Sequence, residues 1–238
     1  MTSKIGVILM VRFLILVTCI FLGACAWFDR DEPVTEKPEA YRIKSSGGIV
    51  QGQRITSGGS DITSASVVSW FDIPFAEPPV GELRWRAPRA IEAPVDIIVE
   101  KEDTSCVQKS SDYAGADGEG IVGLEDCLYL DIKAPADFAN KSYPVMFWIH
   151  GGGNTTGHKD YYDFTRLVAA QGVVVVTTNY RLGALGWFTH PAIQGEQKGL
   201  DKTSNFGTLD IIESLKWVQG NIAQFGGDAQ NVTIFGES

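Results

Sequence analysis

The feature that most constrains this 238-residue chain is a series of short, almost uninterrupted apolar runs separated by long connections. Residues 144–149 and 173–178 are two such runs, and residues 232–235 form a third. Continuous apolar runs of this length are typical of strands that are buried on both faces. A half-buried strand with alternating polarity is expected at residues 128–133, and shorter ones at 49–52 and 67–71.

Helical patterns fill the connections between the apolar runs. The spacing of apolar residues predicts a helix within residues 161–171 that ends at Gly172, a residue type suited to a helix C-cap. A second helix is expected within residues 207–225, closed by the glycines at 226 and 227. We expect its buried stripe to comprise Leu209, Ile212, Leu215, Val218 and Ile222. Strands alternating with helices predict an α/β domain with a mostly parallel central sheet.

Two chemically suggestive segments follow predicted strands. His150-Gly151-Gly152-Gly153 comes directly after the run that ends at Ile149, and Gly236-Glu237-Ser238 follows the last run. Bare glycine amides can form an oxyanion hole, and a serine on a strand-to-helix turn can act as a nucleophile. Alone, the triple glycine is equally compatible with a flexible turn, and no Gly-Lys-Ser/Thr follows it to indicate a phosphate loop. Because ligands bind beyond the carboxyl ends of such strands, the pair favours acyl transfer.

The N-terminal segment predicts export. Lys4 and Arg12 flank the start of an apolar run of about ten residues, which suits a secretory signal better than a membrane span. Leu22-Gly-Ala-Cys25 resembles a bacterial lipobox, so residues 1–24 are interpreted as a lipoprotein signal peptide with the lipid attached at Cys25. Residues 25–40 are interpreted as an acidic tether, and residues 41–238 as the domain. Ala26 favours the outer membrane, facing the periplasm or the outside. An ordinary signal peptide or an uncleaved anchor helix are the alternatives.

Charge and composition argue against nucleic acid and metal ions as ligands. The formal net charge of −9 argues against nucleic acid. No His/Cys cluster has ligand spacing, so neither a metal nor another cofactor is expected. Cys106 and Cys127 remain in the exported domain, where an oxidising environment favours a disulfide between them, with two separate thiols as the alternative.

From about Ile49 to Ser238 the chain resembles the type-B carboxylesterase family, which includes the cholinesterases, within the α/β-hydrolase fold. The resemblance is carried by Ile73-Pro-Phe-Ala-Glu-Pro-Pro-Val-Gly, Glu125-Asp-Cys-Leu-Tyr-Leu130, His150-Gly-Gly-Gly153, Asn179-Tyr-Arg-Leu-Gly183 with Gly186, Asn205-Phe-Gly207 with Asp210, and Phe225-Gly-Gly-Asp228 before Gly236-Glu-Ser238. It implies a Cys106–Cys127 bridge, Gly152 and Gly153 as oxyanion donors, Ser238 as the nucleophile, and a small-molecule ester as the substrate.

Two positions depart from the family pattern. Asp72 stands where the family usually has glycine, and Asn154 follows the glycines where an apolar residue is common. Asn154-Thr155-Thr156 would make the acyl side of the pocket more polar, unless these side chains turn to solvent.

The rest of the catalytic machinery is not found in this sequence. In the α/β-hydrolase fold the acid and the histidine follow the serine, whereas His150, His158 and His190 all precede Ser238. We therefore expect the N-terminal half of a hydrolase domain, truncated at the nucleophile elbow, inactive as given, and with an exposed edge on its last strand. A non-catalytic esterase-like binding protein and a shortened product with a structural role at the membrane are the alternatives.

Overall fold

The structure, a computed structural model, describes residues 41–56, 66–98, 100–101, 104–113 and 115–238. The predicted signal peptide, Cys25 and the tether lie outside the described residues. Eleven strands are seen in the described part: β1 (Arg42–Ser45), β2 (Gly48–Gln51), β3 (Gln53–Thr56), β4 (Ser66–Pro74), β5 (Val95–Ile98), β6 (Gln108–Lys109), β7 (Ile121–Val122), β8 (Tyr129–Pro135), β9 (Tyr143–Ile149), β10 (Val174–Thr178) and β11 (Gly227–Gly236).

The helices of the described part lie mainly in the second half of the chain. They are α1 (Thr165–Gln171), α2 (Gly183–Gly186), α3 (Pro191–Gln194) and α4 (Phe206–Asn221), with 3₁₀ turns at Gly81–Leu83, Phe138–Asn140, Gly199–Lys202 and Ile222–Phe225. Gly172 ends α1 in the left-handed conformation at φ 61°, as its C-cap position predicts. None of these helices has the length and apolar character needed to cross a bilayer.

The central sheet has six strands in the order β11-β9-β10-β8-β4-β3. The expectation of a mostly parallel sheet applies only to β11, β9 and β10, because the other three pairings are antiparallel. The links β9–β10 and β10–β11 contain helices and can return the chain to the same end of the sheet. The link between Pro135 and Tyr143 is too short for such a crossover, so β8 runs against β9.

The first two predicted strands belong to different sheets. β2 pairs with β1 and β5 in a small three-stranded sheet, whereas β4 pairs with β3 and β8 in the central one. The main core lies along the central sheet, where Trp70, Phe147 and Phe225 are buried. The Trp70 ring meets that of Phe225 edge-on, with centroids 5.1 Å apart.

Helix α4 is rotated relative to the predicted stripe. Ile212, expected inside, is 44% exposed, while Asp210 and Ser214 are fully buried. The reason is an ion pair: Asp210 accepts two hydrogen bonds from the Arg181 guanidinium, from Nε at 2.8 Å and from Nη2 at 2.7 Å. A sequence pattern that assigns carboxylates to the surface therefore predicts the wrong buried face for this helix.

Strand β11 forms an edge of the central sheet in the described part of the chain, as expected. It pairs with β9 on one side, and Ile234 in its middle is 55% exposed. An unpaired strand edge that carries an apolar side chain can pair with another strand or be covered by a helix.

Candidate active site

The two segments singled out in the sequence meet at the carboxyl end of the central sheet. Strands β9 and β11 are parallel, with Ile149 opposite Gly236, so the residues that follow them emerge side by side. The Glu237 N–H donates to the Ile149 carbonyl at 3.3 Å. A Cβ added to Gly151 would lie 2.6 Å from the Ser238 carbonyl oxygen. The glycine segment therefore packs directly on the backbone of Ser238.

The glycine loop, residues 150–157, is a tight turn stabilised by its own carbonyl groups. Gly152 and Gly153 have φ values of 92° and 60°, and Asn154 follows at 61°. The Gly152 carbonyl accepts from the N–H groups of Thr155 at 3.1 Å and Thr156 at 3.2 Å. Among the residues that the structure describes, none accepts a hydrogen bond from the N–H of Gly152 or Gly153. Two backbone donors thus remain free for a ligand oxygen.

The His150 side chain contacts both the glycine loop and Tyr180. Its ring stacks on Tyr180 with centroids 4.3 Å apart, and its Nδ1 lies 3.0 Å from the Gly151 carbonyl oxygen. The Tyr180 hydroxyl donates to the His150 carbonyl at 2.8 Å. Burial lowers the pKa of His150 to about 4, so the ring is neutral near pH 7. A neutral ring donating from Nδ1 to the carbonyl of its own loop is a structural support for that loop.

A cavity of about 280 Å³ opens over the junction. It is lined by Ser111, Tyr113, His150, Gly151, Gly152, Thr156, Gly157, Tyr161, Glu237 and Ser238. Ser238 and Gly152 thus share one cavity. Of the polar group that departs from the family pattern, Thr156 lines this cavity, whereas Asn154 and Thr155 are exposed.

The disulfide predicted between Cys106 and Cys127 is present, with Cα atoms 5.0 Å apart. It closes the loop that supplies Ser111 and Tyr113 to the cavity. The Tyr161 hydroxyl donates to the Tyr113 carbonyl at 2.6 Å and ties this loop to the segment after the glycines. Within the described residues, no three His, Cys, Asp or Glu side chains are grouped as metal ligands.

A buried charge cluster around Lys159, two residues after the glycine loop, was missed in the sequence. Lys159 Nζ lies 3.0 Å from Asp72 Oδ1 and 2.9 Å from Asp131 Oδ2, and all three side chains are at most 4% exposed. Asp72 has φ 52°, a conformation that favours glycine, which accounts for the glycine usual in the family at this position. The aspartate at position 72, where the family usually has glycine, was the available sequence signal for this cluster. Nothing in the sequence identified Lys159 as the partner of Asp72.

A glycine loop after one parallel strand, in contact with a serine after the neighbouring strand, defines the α/β-hydrolase class. The comparisons with known proteins agree. The carboxylesterase family model matches residues 39–238, so the chain belongs to the carboxylesterase family.

Relatives and solved structures resemble the chain over most of its length. It is 42% identical over 189 residues to the fumonisin B1 esterase of Sphingopyxis macrogoltabida, covering 76% of this chain and 34% of that protein. It is 42% identical over 179 residues to the para-nitrobenzyl esterase of Bacillus subtilis (strain 168), covering 74% and 35%. A solved thermophilic PNB esterase matches with a TM-score of 0.68 and 36% identity, covering 83% of this chain and 38% of that one. The chain thus spans about a third of the length of these relatives.

Proposed function

We propose that the complete protein is a serine carboxylesterase acting on small-molecule carboxylic esters, with Ser238 as its nucleophile. The observation that carries the proposal is the contact between Gly151 and the Ser238 backbone, with Gly152 lining the same cavity as the serine. Esterase relatives at about 42% identity support the same chemistry.

The reaction follows from this arrangement. Ser238 Oγ attacks the ester carbonyl carbon, and its proton passes to a histidine general base as the Oγ–C bond forms. The N–H groups of Gly152 and Gly153 stabilise the negative oxygen of the tetrahedral intermediate. The C–O bond to the alcohol then breaks, the alkoxide takes the proton from the histidine, and water hydrolyses the acyl-enzyme.

The base and its carboxylate are proposed to come from sequence after Ser238, as the order of residues in this fold requires. His150 is tied to the glycine loop, and His190 accepts a hydrogen bond from Ala192 N–H at 3.2 Å at the start of α3. Residues 1–238 by themselves are therefore expected to hydrolyse no ester.

Kinetics of the complete protein, produced from its own gene, test the proposal. p-Nitrophenyl esters of increasing acyl length are the substrates, Ser238→Ala the variant, and Ser204→Ala, in the segment before α4, the matched control. We expect Ser238→Ala to lower kcat by at least about a thousandfold, because a serine nucleophile cannot be replaced by binding alone. Full activity in Ser238→Ala would refute the assignment, and an inactive wild type would favour a non-catalytic binding protein.

The anchoring of the protein is proposed from the sequence. Cys25 carries the lipid after removal of residues 1–24, residues 25–40 form the tether, and residues 41–238 belong to a domain held at the outer membrane. Metabolic labelling with a radiolabelled fatty acid is expected to mark the wild type and not Cys25→Ala, and the variant is expected to leave the membrane fraction. Equal labelling of both forms would refute the anchor at Cys25.

A further inference from the structure

Gln108 is a buried side chain near the candidate site whose hydrogen-bonding capacity is fully used. It is 4% exposed and lies two residues after Cys106 of the disulfide. Its Nε2 donates to the carbonyls of Cys106 and Gly157, both at 2.9 Å. Its Oε1 accepts from the N–H groups of Gly157 at 2.8 Å and Ala116 at 3.2 Å. These four bonds are all that an amide side chain can form.

Gly157, which takes two of these bonds, closes the glycine loop. One side chain binds both its N–H and its C=O, so the peptide groups on both sides of Gly157 are held in orientation. Gly157 has φ 115°, and a Cβ there would lie 2.2 Å from His150 Nδ1. The end of the loop therefore packs back against its beginning, with Gln108 behind it.

A short path leads from Gly157 to the proposed oxyanion donors. Thr156 precedes Gly157, and its N–H donates to the Gly152 carbonyl at 3.2 Å. A Cβ on Gly152 would lie 2.3 Å from the Thr156 carbonyl oxygen, so the two backbones are in direct contact. If Gly157 shifts, Thr156 shifts with it, and the contact of Thr156 with Gly152 displaces the peptide group that carries the Gly153 N–H.

We propose that Gln108 is a positioning residue for the glycine loop: it holds the N–H groups of Gly152 and Gly153 in the orientation that stabilises the oxyanion. It acts through Gly157 and the disulfide-bridged loop and does not touch the substrate. The catalytic consequence rests on the proposed esterase function, whereas the loop geometry that Gln108 imposes does not.

The variant Gln108→Met tests the proposal, because methionine keeps the length of the side chain and removes all four hydrogen bonds. Gln197→Met is the matched control: Gln197 is also buried, but it donates one long bond of 3.5 Å to the Trp85 carbonyl and does not line the cavity. Gln108→Asn, which keeps the amide but is one methylene shorter and so cannot reach all four partners, is a second variant if the methionine protein folds poorly.

The first measurement is ester hydrolysis by the complete protein, with active sites counted by titration. We expect Gln108→Met to lower kcat about tenfold to a hundredfold with KM within about twofold, since displaced donors weaken transition-state binding more than substrate binding. Gln108→Asn is expected to show a smaller loss in the same direction, and Gln197→Met is expected to change neither constant. A purely structural role would lower stability and leave kcat per titrated site unchanged, which would overturn the proposal.

The second measurement needs no catalysis. Amide hydrogen exchange at Thr155 and Thr156, whose acceptor is the Gly152 carbonyl, is expected to be at least about tenfold faster in Gln108→Met, with β10 unchanged. Unchanged exchange at these two amides overturns the proposal whether or not the wild type hydrolyses esters. Faster exchange in a protein that hydrolyses none supports the role of Gln108 and refutes the esterase function alone.

Discussion

Replacing Lys159 by methionine tests how much the buried charge cluster around this residue stabilises the fold. Lys159 Nζ is the cation for Asp72 and Asp131, which lie 3.0 Å and 2.9 Å away and are as buried as the lysine itself. Asp160, half exposed, lies 2.8 Å away. Methionine fills most of the space but leaves two buried carboxylates without a cation. Removing one partner of a buried ion pair costs about 3–5 kcal/mol of unfolding free energy.

The matched control is Lys141→Met. Lys141 Nζ lies 2.6 Å from Asp137, but both side chains are largely exposed. An exposed ion pair is screened by water and contributes little to the free energy of unfolding. Urea titration followed by tryptophan fluorescence measures both losses. The account therefore predicts a much larger free-energy cost for Lys159→Met than for Lys141→Met, although the two substitutions have the same chemistry.

The pH dependence gives a second reading of the same variant. Burial already raises the pKa of Asp131, and loss of Lys159, the second largest influence on that carboxyl, raises it further. A carboxyl with a raised folded-state pKa favours folding below its unfolded value and loses that contribution as pH rises. The cost of Lys159→Met is thus expected to be larger at pH 8 than at pH 5. Equal costs at Lys159 and Lys141, or a cost independent of pH, would refute this reasoning.

Two further perturbations address the glycine loop. His150, whose pKa is lowered from 6.5 to about 4 by burial, binds a proton more readily unfolded than folded between those values, so stability falls as pH falls. Between pH 7 and pH 4.5 this proton uptake lowers the unfolding free energy of the wild type by about 2 kcal/mol, a loss that we expect to be absent in His150→Gln. Urea titration at the two pH values measures it, and an equal loss in both proteins would contradict the expectation. Gly151→Ala places a Cβ 2.6 Å from the Ser238 carbonyl oxygen and is expected to lower kcat at least about a hundredfold. Wild-type kcat in that variant would show that the contact is not needed.

The strands and the glycine loop could be predicted because their signals are local. Continuous apolar runs mark β9 and β10, and Ile149 marks the point where the glycine loop starts. The placement of Ser238 beside Gly151 follows from a topological rule, that parallel neighbours end at the same edge of a sheet. The mixed character of the sheet could have been inferred only from the short link between β8 and β9.

The buried polar contacts could not be predicted because the residues that form each contact are distant in sequence. Lys159 and Asp131 are 28 residues apart, Arg181 and Asp210 are 29, and Gln108 and Gly157 are 49. Taken singly, lysine, aspartate and glutamine are surface residues by composition. Only the folded chain shows that Lys159 and Arg181 are paired with buried carboxylates, Arg181 with one on helix α4, and that Gln108 is bonded to the backbone of the glycine loop.

Covalent labelling tests the central claim most directly. The complete protein is treated with a fluorophosphonate, which reacts with an activated serine through its hydroxyl oxygen, and the modified residue is identified by mass spectrometry of the digest. The account predicts one label per chain, on Ser238, and none in Ser238→Ala. Labelling of another serine, or an unlabelled protein that still hydrolyses esters, would contradict it.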